Sequence, residues 1–482
     1  MVDVTICGNR FTFPHSLYRA LLRLRNSTEV RPVWADAICI NQRDDQEKSH
    51  QVRKMRSIFK QAHRVLIWLD EKNSHVAQVA FELAGRIHQG KLQAIPPPQS
   101  AIWGALIRLF DKDWFRRIWC LQEVVLASSA LVIWGPATTP WDDIGFSAGW
   151  LCNTVGHEVL SIWLVKIRRW DHSKTYGEMT YHPGVYRADL MYSLWLANNS
   201  EASLAKPVSF YELLCQTRPF ESTDPRDKVF SLIGIPTADA DPDRNECFYE
   251  PDYSKTTEEV FVEVARRILA RTPAGLRLLG AVEDDHCHRP FTLPTWVPNW
   301  TVFYSRSLVP IDGPKAVPLP SSRPVTFDGS ALVVSGVMVD TVIYKQSLSS
   351  RDWIDGTYSG LSKAWQEMTK IFDAAYQGGI DPGEAFCWTI TAGNNWLGQR
   401  LTAADRAQHI ADYEAFRKQH CAEYDFPVLV EPQESTGPVK ADAHRYFESL
   451  CHACSNRNFF VTEKGYMGLG PGFMNKGSRF GF

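Results

Sequence analysis

A single carboxylate, Glu123, lies in the middle of an otherwise apolar segment, RIWCLQEVVLA (Arg117–Ala127). At about 100° per residue, Ile118, Leu121 and Val125 fall on one face of a predicted helix, and apolar side chains cover most of its other faces. A helix that is apolar nearly all round is normally buried, and a buried carboxylate without a partner is costly. Glu123 is therefore expected either to pair with a cation or to face a polar pocket.

Two interpretations of Glu123 remain open at this stage. In the structural one, an arginine from another element pairs with the carboxylate and holds the helix in register. In the functional one, the carboxylate faces a water-poor pocket and stabilises positive charge that develops in a transition state. The residue pattern by itself favours the ion pair.

A second carboxylate, Asp36, lies within VWADAICI (Val33–Ile40), a compact apolar run that predicts a buried strand followed by a turn. At the carboxyl end of a strand in an open α/β sheet, Asp36 would face a ligand pocket. A capping or turn contact to the following loop at Asn41–Gln42 is the favoured alternative. Trp34 and Trp119 are expected to be core residues rather than stacking platforms.

The elements that would position these carboxylates are predicted to be a strand, a helix and a second strand. Asp44 is placed to cap a helix over Asp45–Ala62, and RVLIWLD (Arg64–Asp70) is another compact apolar run. Two strands joined by a helix within about forty residues favour a βαβ unit and a parallel sheet. SALVIWG (Ser129–Gly135) is expected to close this unit, which predicts an α/β domain over residues 1–135.

The rest of the chain is predicted to form three further segments. Residues 136–206 are expected to be an irregular, variable connector. Residues 207–308 are expected to be helical and contain the motifs DPRDK and LPTWVPNW, the second of which its prolines keep extended. Residues 309–482 alternate β-like and helical pieces, which predicts a mixed α+β region. Three residues of the first motif are expected to serve structure: Asp224, Arg226 and Asp227.

Composition excludes several classes of protein. The 482 residues carry 52 Lys and Arg against 54 Asp and Glu, so no global field favours nucleic acid. No apolar run is long enough to span a bilayer, and the first residues lack the pattern of a signal peptide. Eleven scattered cysteines favour a reducing, cytoplasmic environment. The pairs Cys451–Cys454 and His286–His288 have no second matched pair nearby, so no metal site is expected.

Three sets of motifs together resemble the fungal heterokaryon incompatibility (HET) domain family. The first block runs from VWADAICINQ to RVLIWLD, and the second is RIWCLQEVVLA. The third set comprises DPRDKVFSLIG, PDYSKTTEEVF, LPTWVPNW and FVTEKGYMGLGP. The resemblance implies a role in non-self recognition and programmed cell death, with self-association through the HET domain and an unknown incompatibility partner.

The HET family is in turn thought to be similar to TIR domains, which are flavodoxin-like modules of immune signalling. In many TIR proteins the glutamate of a Trp-Cys-x-x-Glu helix cleaves NAD, and Trp119, Cys120 and Glu123 reproduce that spacing. The resemblance therefore implies a TIR-like parallel sheet at the N-terminus, Glu123 as catalytic carboxylate, NAD as substrate and no bound cofactor. The residues that it places around the pocket are Trp34, Asp36, Asn41, Gln42, Trp119 and Cys120.

The chain departs from the family at its beginning. HET domains usually start with a Leu-Ser-Tyr-x-Trp-Gly strand and loop, which is absent before Val33, and VDVTICGNRFTF in its place suits a hairpin. Without a neighbouring strand, the predicted strand at Val33–Ile40 would expose unpaired backbone. The expectation is a weakly stable chain that is inactive on NAD. The alternative function is a non-enzymatic module that signals by self-association or by recruiting partners.

Overall fold

The structure is a computed structural model, and the parts of the chain that it describes leave several gaps. They are residues 1–6, 8–26, 28–72, 74–91, 93, 95–152, 156, 158–160, 162–163, 182–199, 207–271, 275–282, 292–302, 325–349, 353, 356–371, 376, 379–396, 398–429, 440–455 and 457–481. The chain divides into two units, Met1–Val260 and Phe261–Phe482. The four predicted segments stay a prediction, since these units do not test their boundaries.

The first unit begins with a β-hairpin and a run of helices. The hairpin consists of β1 (Val2–Ile6) and β2 (Asn9–Phe13), which pair antiparallel and confirm the predicted hairpin. The elements that follow are α1 (His15–Leu24), α2 (Asp36–Cys39), α3 (Asp45–Gln61), β3 (Val65–Asp70), α4 (Ser74–His88), α5 (Trp103–Phe110) and α6 (Ile118–Val125).

The capped helix and the second strand of the predicted βαβ unit are confirmed. The Asp44 side chain accepts the backbone N–H groups of Gln46 and Glu47, both at 3.0 Å, and so caps α3. The Glu47 carboxylate reaches back to the N–H of Asn41 rather than to that of Asp44, so the two form no capping box. In β3 Val65 and Ile67 are buried on one face and the other residues are partly buried, which suits a sheet with one face against the core.

The predicted strand at Val33–Ile40 is wrong. Asp36–Cys39 form one helical turn, and the Asp36 carboxylate accepts the N–H of Ala37 at 2.8 Å. The run is not buried, because Val33 is 44% and Ile38 40% exposed. A short apolar run fits a buried strand or a helix equally well by periodicity, and here local hydrogen bonding at an exposed site decides for the helix.

The parallel pair of the sheet is formed by β3 and a later strand. β4 (Ala130–Trp134) pairs parallel with β3 and confirms the strand predicted at Ser129–Gly135. β5 (Ala137–Pro140) then pairs antiparallel with β4, which gives the strand order β3-β4-β5. The α/β class is confirmed, while the βαβ unit joins β3 to β4 through α4, α5 and α6 rather than through α3.

Two helices lie in the segment predicted to be an irregular connector. Its described residues include α7 (Trp141–Cys152) and α8 (Pro183–Asn199), so the irregular interpretation is wrong for these parts. Their buried small and aromatic residues pack the two helices together, with Tyr192 against the backbone of Gly145. The chain continues with the helices α9 (Phe210–Thr217), α10 (Asp227–Phe230) and α11 (Thr257–Arg271), the last of which begins in the first unit and runs past its end at Val260.

The second unit is mixed α and β, as predicted for this part of the chain. A small hairpin is formed by β6 (Thr326–Asp328) and β7 (Ala331–Val333). A four-stranded antiparallel sheet has the order β10-β9-β8-β11, formed by β8 (Met338–Leu348), β9 (Arg457–Thr462), β10 (Met467–Pro471) and β11 (Arg479–Gly481). Its helices are α12 (Ser359–Ile371), α13 (Pro382–Thr389), α14 (Arg406–His420) and α15 (Ala443–Cys454), and they share one aromatic-rich core with the sheet.

The motif LPTWVPNW is extended with turns from Leu293 to Trp300, as its prolines predict. Among the described helices, none combines the length and the apolar character that a membrane crossing requires.

Gly184 tests how closely the helices of the first unit pack. A Cβ at Gly184, in the first turn of α8, would overlap the backbone carbonyl of Phe110, which cannot move as a flexible side chain would. We expect Gly184→Ala to lower the free energy of unfolding by about 1–3 kcal/mol. Gly85 of α4 is the matched control, because a Cβ there meets its nearest atom, an Asp143 oxygen, at 3.6 Å.

Gly85→Ala is expected to raise the free energy of unfolding by up to about 1 kcal/mol, since alanine favours a helix over glycine. Urea unfolding of the two variants and the parent measures both changes in the free energy of unfolding. Equal shifts in the two variants would contradict this account of the packing of α8 against α5.

Candidate functional site around Glu123

Helix α6 exposes a single stripe of its surface. Six of its eight residues are buried: Ile118, Cys120, Leu121, Gln122, Val124 and Val125. The two that are only partly buried, Trp119 and Glu123, are four residues apart and therefore share one face. The apolar sequence around Glu123 thus packs the helix into the first unit, and the carboxylate lies on the one face that is left open.

Glu123 lies in a desolvated position beside two charges of opposite sign. Burial raises the pKa of its carboxyl from 4.5 to about 7, the Arg117 guanidinium partly lowers it, and Asp36 raises it further. Among the described residues, Glu123 makes no hydrogen bond and no ion pair within 4.0 Å. The predicted structural ion pair is therefore not formed within the described residues.

The structure brings three of the predicted site residues together. Asp36, Cys120 and Glu123 are close enough to influence one another electrostatically, although the strand expected to carry Asp36 is absent. The Cys120 thiol is fully buried, and burial raises its pKa well above the usual value, so it is a poor nucleophile. Arg117 was missed by the sequence reasoning, yet it is the first residue of the RIWCLQE motif.

The other predicted pocket residues point elsewhere. Trp34 contacts the ring of Phe59 edge-on, with ring centroids 5.6 Å apart. The side-chain oxygen of Asn41 accepts the N–H of Arg43 at 3.2 Å, and both Asn41 and Gln42 are exposed. No hydrogen bond within the described ranges joins either of them to Glu123.

Trp119 connects helix α6 to the DPRDK motif. Its indole N–H donates to one carboxylate oxygen of Asp227 at 2.9 Å, and the Tyr253 hydroxyl donates to the other at 2.6 Å. Burial raises the pKa of Asp227, while these two hydrogen bonds lower it. Trp119 is thus neither a purely apolar core residue nor a free stacking platform, because its polar edge anchors a buried carboxylate.

The other two structural residues predicted in the DPRDK motif, Asp224 and Arg226, are joined by hydrogen bonds. The Arg226 guanidinium donates to the Asp224 carboxylate at 3.0 and 2.7 Å. It also donates to the backbone carbonyls of Tyr253 and Lys255, at 2.6 and 2.7 Å. The carboxylate partner is therefore two residues away, and the arginine ties this loop to the segment that precedes α11.

The candidate metal ligands do not come together in the described residues. No group of three or more His, Cys, Asp or Glu side chains there is arranged to hold a metal ion. Cys454 is buried and its thiol donates to the carbonyl of Ile390 at 2.9 Å, while Cys451 is buried beside it in α15. His286–His288 lie outside the described residues.

Comparison with known proteins identifies the domain that contains this site. Residues 2–123 match the family described as heterokaryon incompatibility protein (HET). This segment is similar to a HET domain. It is also similar to "Heterokaryon incompatibility protein 6, OR allele" of Neurospora crassa, at 24% identity over 95% of this chain and 77% of that protein. No solved structure matches the chain, so the likeness to TIR domains stays a prediction.

Most of helix α6 lies at the end of the matched segment. Glu123 is the last matched residue, and Asp36 and Arg117 lie within the same match. The residues of the Trp119–Asp227 contact therefore come from the matched segment and from the part of the first unit that follows it.

The raised pKa of Glu123 makes the stability of the first unit depend on pH. In the folded state the carboxyl keeps its proton up to about pH 7, whereas the unfolded chain releases it near 4.5. The folded state therefore binds more protons between these values, and stability falls as the pH rises through this window. At about 1.36 kcal/mol per pKa unit, the loss is up to roughly 3 kcal/mol and is complete above pH 7.

Glu123→Gln removes this penalty, so the variant should be more stable than the parent at pH 8 and similar to it at pH 4.5. Urea unfolding at the two pH values measures the difference. Glu82→Gln, an exposed glutamate of α4, is the control and should change neither value. An advantage of Glu123→Gln that is the same at both pH values would contradict the assigned burial of the carboxylate.

Proposed function

We propose that this HET-domain protein acts in heterokaryon incompatibility, as a component of non-self recognition that leads to cell death. The similarity to the Neurospora crassa protein over 95% of the chain supports this role. The odd number of cysteines, eleven, supports a cytoplasmic location. The incompatibility partner is expected to be another protein of the same recognition system.

The proposed mechanism is hydrolysis of the bond between nicotinamide and ribose in NAD, with Glu123 as the catalytic carboxylate. The expected inactivity on NAD was argued from a strand at Val33–Ile40, where the structure has a helical turn instead. The observation that carries it is the desolvated Glu123 carboxylate, which lacks any hydrogen-bond partner in the described residues and lies on the open stripe of α6. Cleavage of this bond develops positive oxocarbenium charge on the ribose, which a preorganised carboxylate stabilises. Arg117 opposes protonation of Glu123 and so helps to keep the ionised form available.

Glu123→Gln is expected to lower NAD cleavage by at least about 100-fold, because glutamine keeps the shape but loses the charge. The same variant should no longer kill cells when it is expressed in a filamentous fungus. Since only the ionised carboxylate stabilises a cation, the rate of the parent should rise with pH through about 7. Purified protein, an assay of nicotinamide release and equal expression levels provide the measurements.

Glu82→Gln again serves as the matched control and should retain both activities. If Glu123→Gln kills cells as well as the parent does, the enzymatic mechanism is wrong, and the result supports a non-enzymatic scaffold function. A rate that falls as the pH rises through 7 would instead assign Glu123 as a general acid.

Self-association through the HET domain is a second proposal, favoured by the exposed hairpin β1–β2. The hairpin pairs with no other described strand, and an isolated two-stranded sheet is marginal in water. Phe11, on the same face as Phe13, is 43% exposed. A second copy that packs against this face would cover the Phe11 ring.

Phe11→Ser should shift the protein towards a monomer in light scattering after size-exclusion chromatography. Val428→Ser, at an exposed apolar residue of the second unit, is the control and should leave the mass unchanged. A parent protein that is monomeric at all accessible concentrations would exclude this association.

A further inference from the structure

Within the described residues, one side-chain hydrogen bond ties the open stripe of α6 to the rest of the first unit. Of the two side chains on this stripe, Trp119 donates its indole N–H to the Asp227 carboxylate at 2.9 Å, and Glu123 makes no hydrogen bond with a described residue. A helix of eight residues is too short to keep its conformation alone, and the side chain of Arg117 does not cap its N-terminus. The position of the stripe therefore depends on what holds Asp227.

Tyr253 fixes the carboxylate of Asp227. Its hydroxyl donates, at 2.6 Å, to the Asp227 oxygen that Trp119 does not use. Tyr253 is itself held at both of its backbone polar groups, because its N–H donates to the Ser49 hydroxyl oxygen at 3.0 Å and its carbonyl accepts from Arg226 at 2.6 Å. Only 2% of its surface is exposed, so packing also holds its ring. Trp119 therefore donates to an acceptor whose position is fixed from α3 and from the DPRDK motif.

Trp119 and Glu123 are neighbours on the stripe. Side chains four residues apart on a helix have their Cβ atoms about 5–6 Å apart, and each side chain leans towards the N-terminal end of the helix. For Glu123 this is the side on which Trp119 lies. A ring that is held beside a carboxylate keeps water from it, and the loss of water is the main cause of the raised pKa of Glu123.

Three titratable groups around Glu123 act on it without a hydrogen bond. They are the Arg117 guanidinium, which favours the ionised carboxylate, the Asp36 carboxylate of α2, which favours the neutral form, and the buried Cys120 thiol of α6, which stays neutral. A variant that breaks the contact of Trp119 removes none of these groups. Its main effect on the ionisation of Glu123 is therefore through the access of water.

We propose that Trp119, Asp227 and Tyr253 are positioning residues, a hydrogen-bonded chain that keeps the Glu123 carboxylate in its desolvated place. Tyr253 and Asp227 act through Trp119, and Trp119 acts by covering one side of Glu123. The inference rests on the proposed function, because the group that is positioned is the proposed catalytic carboxylate. Asp227 and Tyr253 lie beyond the matched segment, which ends at Glu123. The site is therefore complete only with the part of the first unit that follows this segment.

The ionisation of Glu123, measured through the stability of the full chain, tests the proposal without any need for NAD cleavage. Trp119→Phe keeps an aromatic ring but removes the N–H donor, so water should reach Glu123 and its pKa should fall from about 7 to about 6 or lower. The stability that Glu123→Gln adds at pH 8 should then shrink by about 10-fold or more, expressed as a ratio of unfolding constants. Urea unfolding of Trp119→Phe with and without Glu123→Gln, at pH 4.5 and pH 8, measures this ratio.

Trp103→Phe is the matched control. Trp103 is fully buried in the same unit, and its indole N–H donates to the carbonyl of Pro97 at 3.1 Å. The variant thus loses an equivalent hydrogen bond that does not involve α6. It should lower stability at both pH values and leave the effect of Glu123→Gln unchanged.

Two further variants test the distant part of the chain of hydrogen bonds. Tyr253→Phe removes one donor to Asp227 and should act in the same direction as Trp119→Phe, although it changes no residue of α6. Asp227→Asn should stay close to the parent, because its amide oxygen accepts from Trp119 and its NH2 group donates to the Tyr253 oxygen. NAD cleavage gives a second measurement: Trp119→Phe should lower kcat about 10-fold or more with KM changed less than about 3-fold, since a solvated carboxylate stabilises the developing cation less.

Equal effects of Trp119→Phe and Trp103→Phe on the stability that Glu123→Gln adds would overturn the proposal. So would a Trp119→Phe variant that is less stable than the parent at both pH values but keeps the full effect of Glu123→Gln, since its contact would then serve the fold alone. A parent that does not cleave NAD would contradict the proposed function, whereas the positioning chain is decided by the unfolding measurements in either case.

Discussion

The buried carboxylate of Asp227 is the interaction on which the site depends. It accepts hydrogen bonds from Trp119 of α6 and from the Tyr253 hydroxyl, and the Tyr253 backbone N–H donates to Ser49 of α3. Three segments distant in the sequence therefore meet at one side chain. A buried carboxylate that loses a donor costs about 1–3 kcal/mol, so each segment fixes the position of the others. The stripe of α6 that carries Glu123 is oriented by this contact rather than by apolar packing alone.

Glu123 differs from Asp227, because no described residue donates a hydrogen bond to the Glu123 carboxylate. Burial and Asp36 favour its neutral form, and Arg117 favours the ionised one, which leaves its pKa at about 7. A group with this pKa changes charge within the ordinary range of cellular pH. A well-placed ion pair with Arg117 would stabilise the fold more, but it would also leave the Glu123 carboxylate less available to a ligand. The sequence pattern favoured an ion pair for Glu123, so it did not predict a carboxylate without a described partner.

The sequence predicts an element well where interactions between neighbouring residues determine it. The start of α3 is decided by Asp44 and the two N–H groups that follow it, so it could be read directly. β3 and β4 are compact apolar runs that the core buries, and both were predicted. Val33–Ile40 has the same composition but lies at the surface, and burial cannot be deduced from a run of this length. Trp119 and Asp227 are 108 residues apart in the sequence, and no local pattern predicts their contact.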